Sequence, residues 1–135
     1  MRGAAFVDTS FLAGATWPED SRHAAAISVA RAVGRRPLVT TNLVRGETWT
    51  VLRRRASHRV AVDFLDALAA SAVLRVHPVD AAIEAEAFAW LRDRDEREYS
   101  FVDATSFAFM RHHGITEALA FDRDFTAAGF VELRP

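Results

Sequence analysis

The sequence predicts an α/β fold with a central parallel sheet of four to five strands and helices on both of its faces. Two observations predict it. Short apolar segments of strand length alternate with longer segments of helical periodicity, and 50% of the residues are hydrophobic, enough to cover a buried sheet. The length of 135 residues fits a single domain spanning residues 1–135, and no repeat or linker divides it.

The first half of the chain predicts two strands and three helices. Residues 4–7 and 37–40 are short apolar runs of the kind found in buried strands. Between them, residues 20–34 carry apolar side chains at helical spacing and end in a glycine, which commonly stops a helix. Residues 42–56 and 58–70 repeat this spacing, so each predicts a further helix.

The second half predicts three strands and two helices by the same criteria. Residues 73–76, 118–121 and 130–133 are apolar runs, whereas residues 80–93 and 101–112 have helical periodicity. Strands joined by helices pair in parallel through right-handed crossovers, and ligands then bind outside the carboxyl ends of the strands. The residues that follow each strand are therefore the candidates for a functional site.

Two acids of the first half stand at informative positions. Asp8 directly follows the first strand, where it is either a site residue or a helix N-cap. Glu47 lies in the middle of the apolar stripe of the helix 42–56. A carboxylate on that face is expected to point inward, where acids are rare unless they are paired or bind a metal. The alternative for Glu47 is an edge position that reaches solvent.

Two acids of the second half complete the candidate cluster. Asp103 lies three residues after Ser100, which is the capping-box pattern of a helix start, and a capping acid can also point into a site. Asp122 follows the strand 118–121, and Asp124 comes two residues later, so either can be the site residue or a turn residue. We prefer Asp122 because it is nearer to the strand end.

Four carboxylates at one edge of a sheet indicate a metal site. Two like charges about 4 Å apart repel by roughly 4 kcal/mol at an effective dielectric near 20, and a divalent cation removes that cost. An all-oxygen site suits Mg²⁺ or Mn²⁺, which position a water, lower its pKa and bind a phosphate. The chemistry that this pattern predicts is hydrolysis of phosphodiesters.

The remaining composition narrows the function classes. The chain has 17 basic residues, 18 acidic residues and a net charge of −1, so its whole surface is not a basic nucleic-acid binder. Arginines near the acids are candidates for contacts to RNA phosphates, although a solvated helix end explains the run at 53–55 as well: Arg45, Arg53, Arg54 and Arg94. There is no cysteine and no apolar run of about 20 residues, and Asp8 interrupts the N-terminal apolar stretch. We therefore expect a cytoplasmic protein with no membrane segment.

The sequence resembles the PIN domain, and within it the toxin ribonucleases of VapBC toxin–antitoxin pairs. The similarity covers nearly the whole chain. It is carried by Val7-Asp8-Thr9-Ser10, by residues 40–47, by Phe101-Val102-Asp103-Ala104-Thr105, by Asp122-Arg123-Asp124-Phe125 and by Gly129-Phe130. In one departure, Phe121 precedes the fourth acid where family members often have a small polar residue, so Asp124 competes with Asp122 for that position.

The resemblance implies a three-layer α/β/α PIN-like fold and endonucleolytic cleavage of RNA. It implies that Asp8, Glu47, Asp103 and Asp122 hold Mg²⁺ or Mn²⁺. Supporting roles would fall to Thr9, Ser10, Thr105 and Asp124. It further implies a homodimer and a cognate antitoxin that blocks the site.

Two alternatives remain beside the toxin ribonuclease. A non-catalytic PIN-like module that only binds a partner should have lost one of the acids, and all four expected types are present. A phosphohydrolase of the haloacid-dehalogenase kind needs a second aspartate two residues after the first, and Ser10 stands there.

Overall fold

The computed structural model describes residues 1–135, in which five strands and seven helices alternate. The strands are β1 (Ala5–Val7), β2 (Leu38–Thr41), β3 (Leu74–His77), β4 (Glu117–Leu119) and β5 (Val131–Glu132). The helices are α1 (Thr9–Thr16), α2 (His23–Val33), α3 (Asn42–Arg55), α4 (His58–Ala70), α5 (Ala81–Arg92), α6 (Phe101–His113) and α7 (Asp124–Ala127). No helix combines the length and the apolar character that crossing a bilayer requires.

All five strands pair in parallel in the order β3-β2-β1-β4-β5. From β1 the chain moves outward through β2 to β3, and it then crosses back to β4 and β5 on the other side. The strand order therefore reverses between β1 and β4, and such a switch point leaves a crevice at the carboxyl ends of these two strands.

Helices cover both faces of the sheet. Right-handed crossovers in opposite directions place α1 to α4 on one face and α5 and α6 on the other. In agreement, α1 packs against α2 and α3, α3 packs against α4, and α5 packs against α6. The central strand β1 is completely buried, as expected for a strand covered on both faces. The prediction of a three-layer α/β/α fold is confirmed.

The hydrophobic core is rich in phenylalanine around β1 and α6. Phe6, Phe107, Phe109 and Phe125 are each at most 1% exposed, and the ring centroids of Phe107 and Phe125 lie 4.9 Å apart in an edge-to-face arrangement. Phe125 directly follows Asp124 in the sequence. Its burial therefore anchors the segment that carries Asp122 and Asp124 in the core. Edge-to-face aromatic pairs add roughly 0.5–1.5 kcal/mol beyond the area they bury.

Apart from shifts of one or two residues at the ends of elements, such as β4, which ends at Leu119 and not at residue 121, the structure differs from the predicted elements in three places. The helix α1 was not predicted, because the segment 9–16 is almost uniformly small and apolar and lacks a polar face that would show a period. The short helix α7 lies where only a turn was expected. The helix predicted to begin at residue 20 begins at His23, after a turn over residues 18–22.

Candidate active site

Three aspartates meet at the carboxyl edge of the sheet, beside the switch point between β1 and β4. Asp8 follows β1, Asp122 follows β4, and Asp103 lies in the first turn of α6. One carboxylate oxygen from each of Asp8, Asp103 and Asp122 lies within 4.8 Å of the other two. We call these three residues the Asp cluster. The structure therefore brings together three of the four acids that the sequence places in the candidate cluster.

Asp8 is held by the first turn of α1, which it caps. Its Oδ2 accepts hydrogen bonds from the backbone N–H of Ser10 at 3.2 Å and from the Ser10 hydroxyl at 2.9 Å. The Ser10 Oγ in turn accepts a bond of 2.9 Å from the backbone N–H of Phe121, two residues after β4. Ser10 thus ties the Asp8 carboxylate to the segment that carries Asp122. Asp8 is therefore a helix cap that also belongs to the Asp cluster.

Asp103 is fixed by a capping box at the start of α6. Its backbone N–H donates to the Ser100 hydroxyl at 2.9 Å, and its Oδ2 accepts from the Ser100 backbone N–H at 3.1 Å. This reciprocal pair satisfies two donors at the helix start and sets the direction of the side chain. Asp103 is only 7% exposed, so the carboxylate that caps the helix also faces the other two acids.

The structure separates Asp122 from its rival Asp124. Asp122 belongs to the Asp cluster, and its Oδ1 accepts a bond of 3.1 Å from the backbone N–H of Asp124. Asp124 instead pairs with Arg97 at 2.5 Å, and the same guanidinium donates to the Asp122 carbonyl at 3.2 Å. The role of Asp124 in this geometry is to fix the turn that presents Asp122.

Glu132 of β5 is a buried acid that the sequence analysis missed. Its Oε1 accepts from the Arg123 backbone N–H at 3.3 Å and from the Arg134 guanidinium at 3.0 Å, and its Oε2 accepts from the Thr126 backbone N–H at 2.9 Å. Arg123 has a φ of +67°, a strained value for a residue with a side chain. Glu132 therefore supports the turn that follows Asp122. The sequence signal that could have identified Glu132 is its place as a single acid in an otherwise apolar strand.

Burial, together with the charges of neighbouring acids, raises the pKa values of all three clustered carboxyls. Burial raises the pKa of Asp8 well above its usual range, and the charges of Asp122 and Asp103 raise it further against the Ser10 hydrogen bonds. Burial raises the pKa of Asp103 to about 7, with the Asp122 and Asp124 charges adding to the shift and the Ser100 hydrogen bonds opposing it. Burial and the charges of Asp124 and Glu132 raise the pKa of Asp122.

Glu47 lies outside the Asp cluster, on a wall of the cleft above it. The cleft encloses about 450 Å³ and is lined by Asp8, Asp122 and Glu47, together with two further residues of α3, Val51 and Arg55. Glu47 is half-buried and makes no hydrogen bond or ion pair with the protein. The expectation that it points into the core is wrong, because the neighbouring Thr48 takes the buried position. The edge position is the one observed.

The two threonines with predicted supporting roles, Thr9 and Thr105, form hydrogen bonds within the fold. The Thr9 hydroxyl accepts a bond of 3.3 Å from the Thr48 hydroxyl, which links α1 to α3, although Thr9 also lines the cleft. The Thr105 hydroxyl donates to the Val102 carbonyl at 2.8 Å within α6, and its side chain is fully buried away from the cleft.

The four arginines proposed from the sequence do not line the cleft. Arg45 borders a separate apolar cavity with Leu65 and Leu68. Arg94 lies over the ring of Trp90 at 5.0 Å. Arg53 and Arg54 are exposed on α3 but face away from the cleft. The arginines that line it are Arg22 and Arg55. Arg55 stands eight residues after Glu47, a helical spacing that could have identified it.

The Asp cluster fits a divalent cation. All its ligand atoms are carboxylate oxygens, the donors that hard cations such as Mg²⁺ prefer, and the three raised pKa values show that the site disfavours its own charge without a counterion. Asp8, Asp103 and Asp122 are the residues that would hold such an ion, with Glu47 beside them on the cleft wall.

Comparison with known proteins identifies the family. The PIN domain matches residues 5–131. The chain belongs to the PIN-domain family. This PIN domain is 54% identical over 132 residues to the 23S rRNA-specific endonuclease VapC20 of Mycobacterium tuberculosis, in two strains, with 96% of this chain and 98% of the relative covered.

Solved structures agree with the family assignment. A crystal structure of VapC20 from M. tuberculosis, described as a Sarcin-Ricin loop cleaving toxin, superposes on this PIN domain with a TM-score of 0.91 and 52% identity, covering 97% of this chain and 99% of the other. FitAcB from Neisseria gonorrhoeae gives a TM-score of 0.67 at 15% identity, covering 95% and 94%, and shares the fold alone. The resemblance read from the sequence is confirmed.

Proposed function

We propose that the protein is a toxin endoribonuclease that depends on Mg²⁺ or Mn²⁺ and hydrolyses RNA phosphodiesters at the Asp cluster. One observation carries the proposal: Asp8, Asp103 and Asp122 converge within 4.8 Å at the switch point of a PIN-domain sheet. Their raised pKa values support the presence of a cation in the working site, because two buried carboxylates and one half-buried carboxylate cannot otherwise all be ionised at low cost.

The Asp cluster and the residues around it have separate roles in this proposal. Asp8, Asp103 and Asp122 would hold the ion, which would supply an activated water and stabilise the charge that develops on the phosphate. Ser10 and Ser100 orient the carboxylates of Asp8 and Asp103 through the hydrogen bonds described above. Glu47 has no protein partner, so its carboxylate is free to accept a proton from the attacking water or to bind the ion from the wall.

We propose 23S ribosomal RNA as the substrate, cut in the sarcin–ricin loop. The support is 54% identity, over 96% of this chain, to a 23S rRNA-specific endonuclease and a TM-score of 0.91 with a Sarcin-Ricin loop cleaving toxin. A loop is also a suitable target for an open cleft, because its splayed nucleotides leave the backbone reachable. Activity on ribosomal RNA would place the protein in the cytoplasm.

The toxin assignment brings two partners into the proposal. A cognate antitoxin would cover the cleft and silence it until released, and a second copy of the chain would form a homodimer. Co-expression with any small open reading frame that adjoins its gene, followed by light scattering of the purified protein, tests both. Purification of the toxin alone as a monomer, with no binding to the neighbouring product, would contradict both partners.

A cleavage assay tests the catalytic assignment. The purified protein is incubated with a sarcin–ricin hairpin RNA and with a hairpin of the same stem and a scrambled loop, in Mg²⁺. We expect a single cut in the first RNA, none in the second, and none with Asp8→Asn or Asp103→Asn. Asp66→Asn, an exposed acid on α4, is the matched control and should cleave like the wild type. Metal binding without any RNA cleavage would favour a non-catalytic binding module.

A further inference from the structure

Two unpaired arginines line the acidic cleft. Arg22 lies on the turn before α2, and Arg55 lies in the last turn of α3, so they come from different walls. Neither forms an ion pair, although Asp8, Asp122 and Glu47 line the same cleft. Their positive charges are therefore not used to neutralise the neighbouring acids and remain available to an anionic ligand.

Arg55 shares a helix face with the acid on the α3 wall. Glu47, Val51 and Arg55 follow each other at intervals of four residues and all line the cleft. Eight residues of helix place Arg55 about 12 Å along the axis from Glu47. Arg53 and Arg54 of the same turn do not line the cleft, so Arg55 is the one arginine of this run that does.

Arg22 is placed by an aromatic ring next to the Asp cluster. Its guanidinium lies 5.8 Å from the centre of the Phe121 ring, and Phe121 directly precedes Asp122. The Phe121 ring stacks on Phe11 of α1 with centroids 5.9 Å apart, and this contact holds the Phe121 ring in place. The backbone N–H of Arg22 also donates to Asp20 at 2.8 Å, which holds the turn. A guanidinium over a ring keeps the donors at its edge free.

We propose that Arg22 and Arg55 bind two phosphates of the RNA backbone on either side of the scissile phosphate, so that the strand crosses the cleft between the two walls. This inference rests on the proposed endoribonuclease function. A cleft whose floor is acidic repels RNA, and the net charge of −1 gives no general attraction. Local arginines with planar, bidentate donors are suited to supply the missing phosphate contacts.

Salt dependence of binding tests the proposal directly. Anisotropy of a labelled sarcin–ricin hairpin is measured in Ca²⁺ at several salt concentrations, with a gel confirming that the RNA stays intact. Removing one arginine–phosphate ion pair should reduce the slope of log K against log salt by about 0.7 for a single strand. We expect Arg22→Gln and Arg55→Gln each to reduce the slope by that amount and to weaken binding severalfold. Arg22→Lys and Arg55→Lys keep the charge, so their slopes should stay near the wild-type value, while their affinities should lie between those of the glutamine variants and the wild type.

Arg31→Gln is the matched control, since it removes the same charge from an exposed and unpaired position on α2 outside the cleft. Urea unfolding checks that all variants keep the wild-type fold. Equal slopes for Arg31→Gln and the two cleft variants would overturn the phosphate contacts while leaving the proposed function intact. Wild-type protein that binds the hairpin no better than a scrambled RNA, and cleaves neither, would count against the proposed function itself.

Discussion

Replacing Asp103 by asparagine should stabilise the metal-free protein while removing its activity. The wild-type carboxyl is buried beside Asp8 and Asp122, and this environment raises its pKa to about 7 from the ordinary 3.8. The folded state holds the Asp103 proton more tightly than the unfolded state. The resulting loss of unfolding free energy is therefore absent below about pH 3.8, where the carboxyl is protonated in both states. It grows as the pH rises and is complete above about pH 7.

The size of this effect follows from the pKa shift. Raising the pKa from 3.8 to about 7 lowers the unfolding free energy by roughly 4 kcal/mol at alkaline pH, and by roughly 1 to 2 kcal/mol near pH 5. The difference between the two conditions is therefore roughly 3 kcal/mol as an upper value. Asparagine keeps an oxygen that can accept the Ser100 backbone N–H, so the capping box is retained.

Urea unfolding in EDTA measures the prediction at both pH values, for wild type and for Asp103→Asn. With a slope near 2 kcal/mol per molar, the midpoint of the variant should exceed that of the wild type by about 1–2 M at about pH 8.5 and by clearly less near pH 5. Saturating Mn²⁺ should reverse the order, because the ion stabilises only the intact Asp cluster. Equal or lower stability of Asp103→Asn at alkaline pH would refute the argument that the cluster repels itself.

Four further variants test separate parts of the account. Glu47→Gln should change the unfolding free energy by less than about 0.5 kcal/mol and should slow cleavage. In calorimetry it should weaken Mn²⁺ binding less than Asp8→Asn does. A loss of metal binding equal to that of Asp8→Asn would make Glu47 a direct ligand. Ser10→Ala should cost about 1–3 kcal/mol in urea unfolding because the Phe121 N–H loses its acceptor. Glu132→Gln should cost a similar amount and weaken Mn²⁺ binding through the loosened Asp122 turn, so unchanged metal affinity would argue against this positioning. Leu52→Ala, at a fully buried site of α3, should cost about 2–5 kcal/mol, and a cost under about 1 kcal/mol would contradict its core position.

Most of the fold could be predicted from the sequence because its long helices and its strands carry clear periods. The helix α1 could not, since its residues are buried on nearly every side and show no alternation between apolar and polar faces. The four-residue α7 is too short to have a period at all, and it depends on the left-handed Arg123 and on Glu132 for its start. Burial of α1 in the core and the contact of α7 with Glu132 of β5 position these two elements, and neither leaves a period in the sequence.

The site could be predicted in part for a similar reason. Asp8, Asp103 and Asp122 follow from rules that act locally, namely strand ends and a capping box, so their sequence positions were informative. Glu47 was harder, because one position along a helix is a rotation of about 100°, and that rotation decides whether it or Thr48 is buried. Arg22 could not be found, since it reaches the cleft through the turn before α2 and its packing on Phe121.

The metal dependence of RNA cleavage tests the central claim most directly. The measurement is the initial rate of cleavage of the sarcin–ricin hairpin against Mn²⁺ concentration, from EDTA to saturation, for the wild type and Asp8→Asn. The account predicts no cleavage in EDTA, a saturable rise for the wild type and no cleavage by Asp8→Asn at any concentration. Cleavage by the wild type in EDTA, or undiminished cleavage by Asp8→Asn, would contradict it.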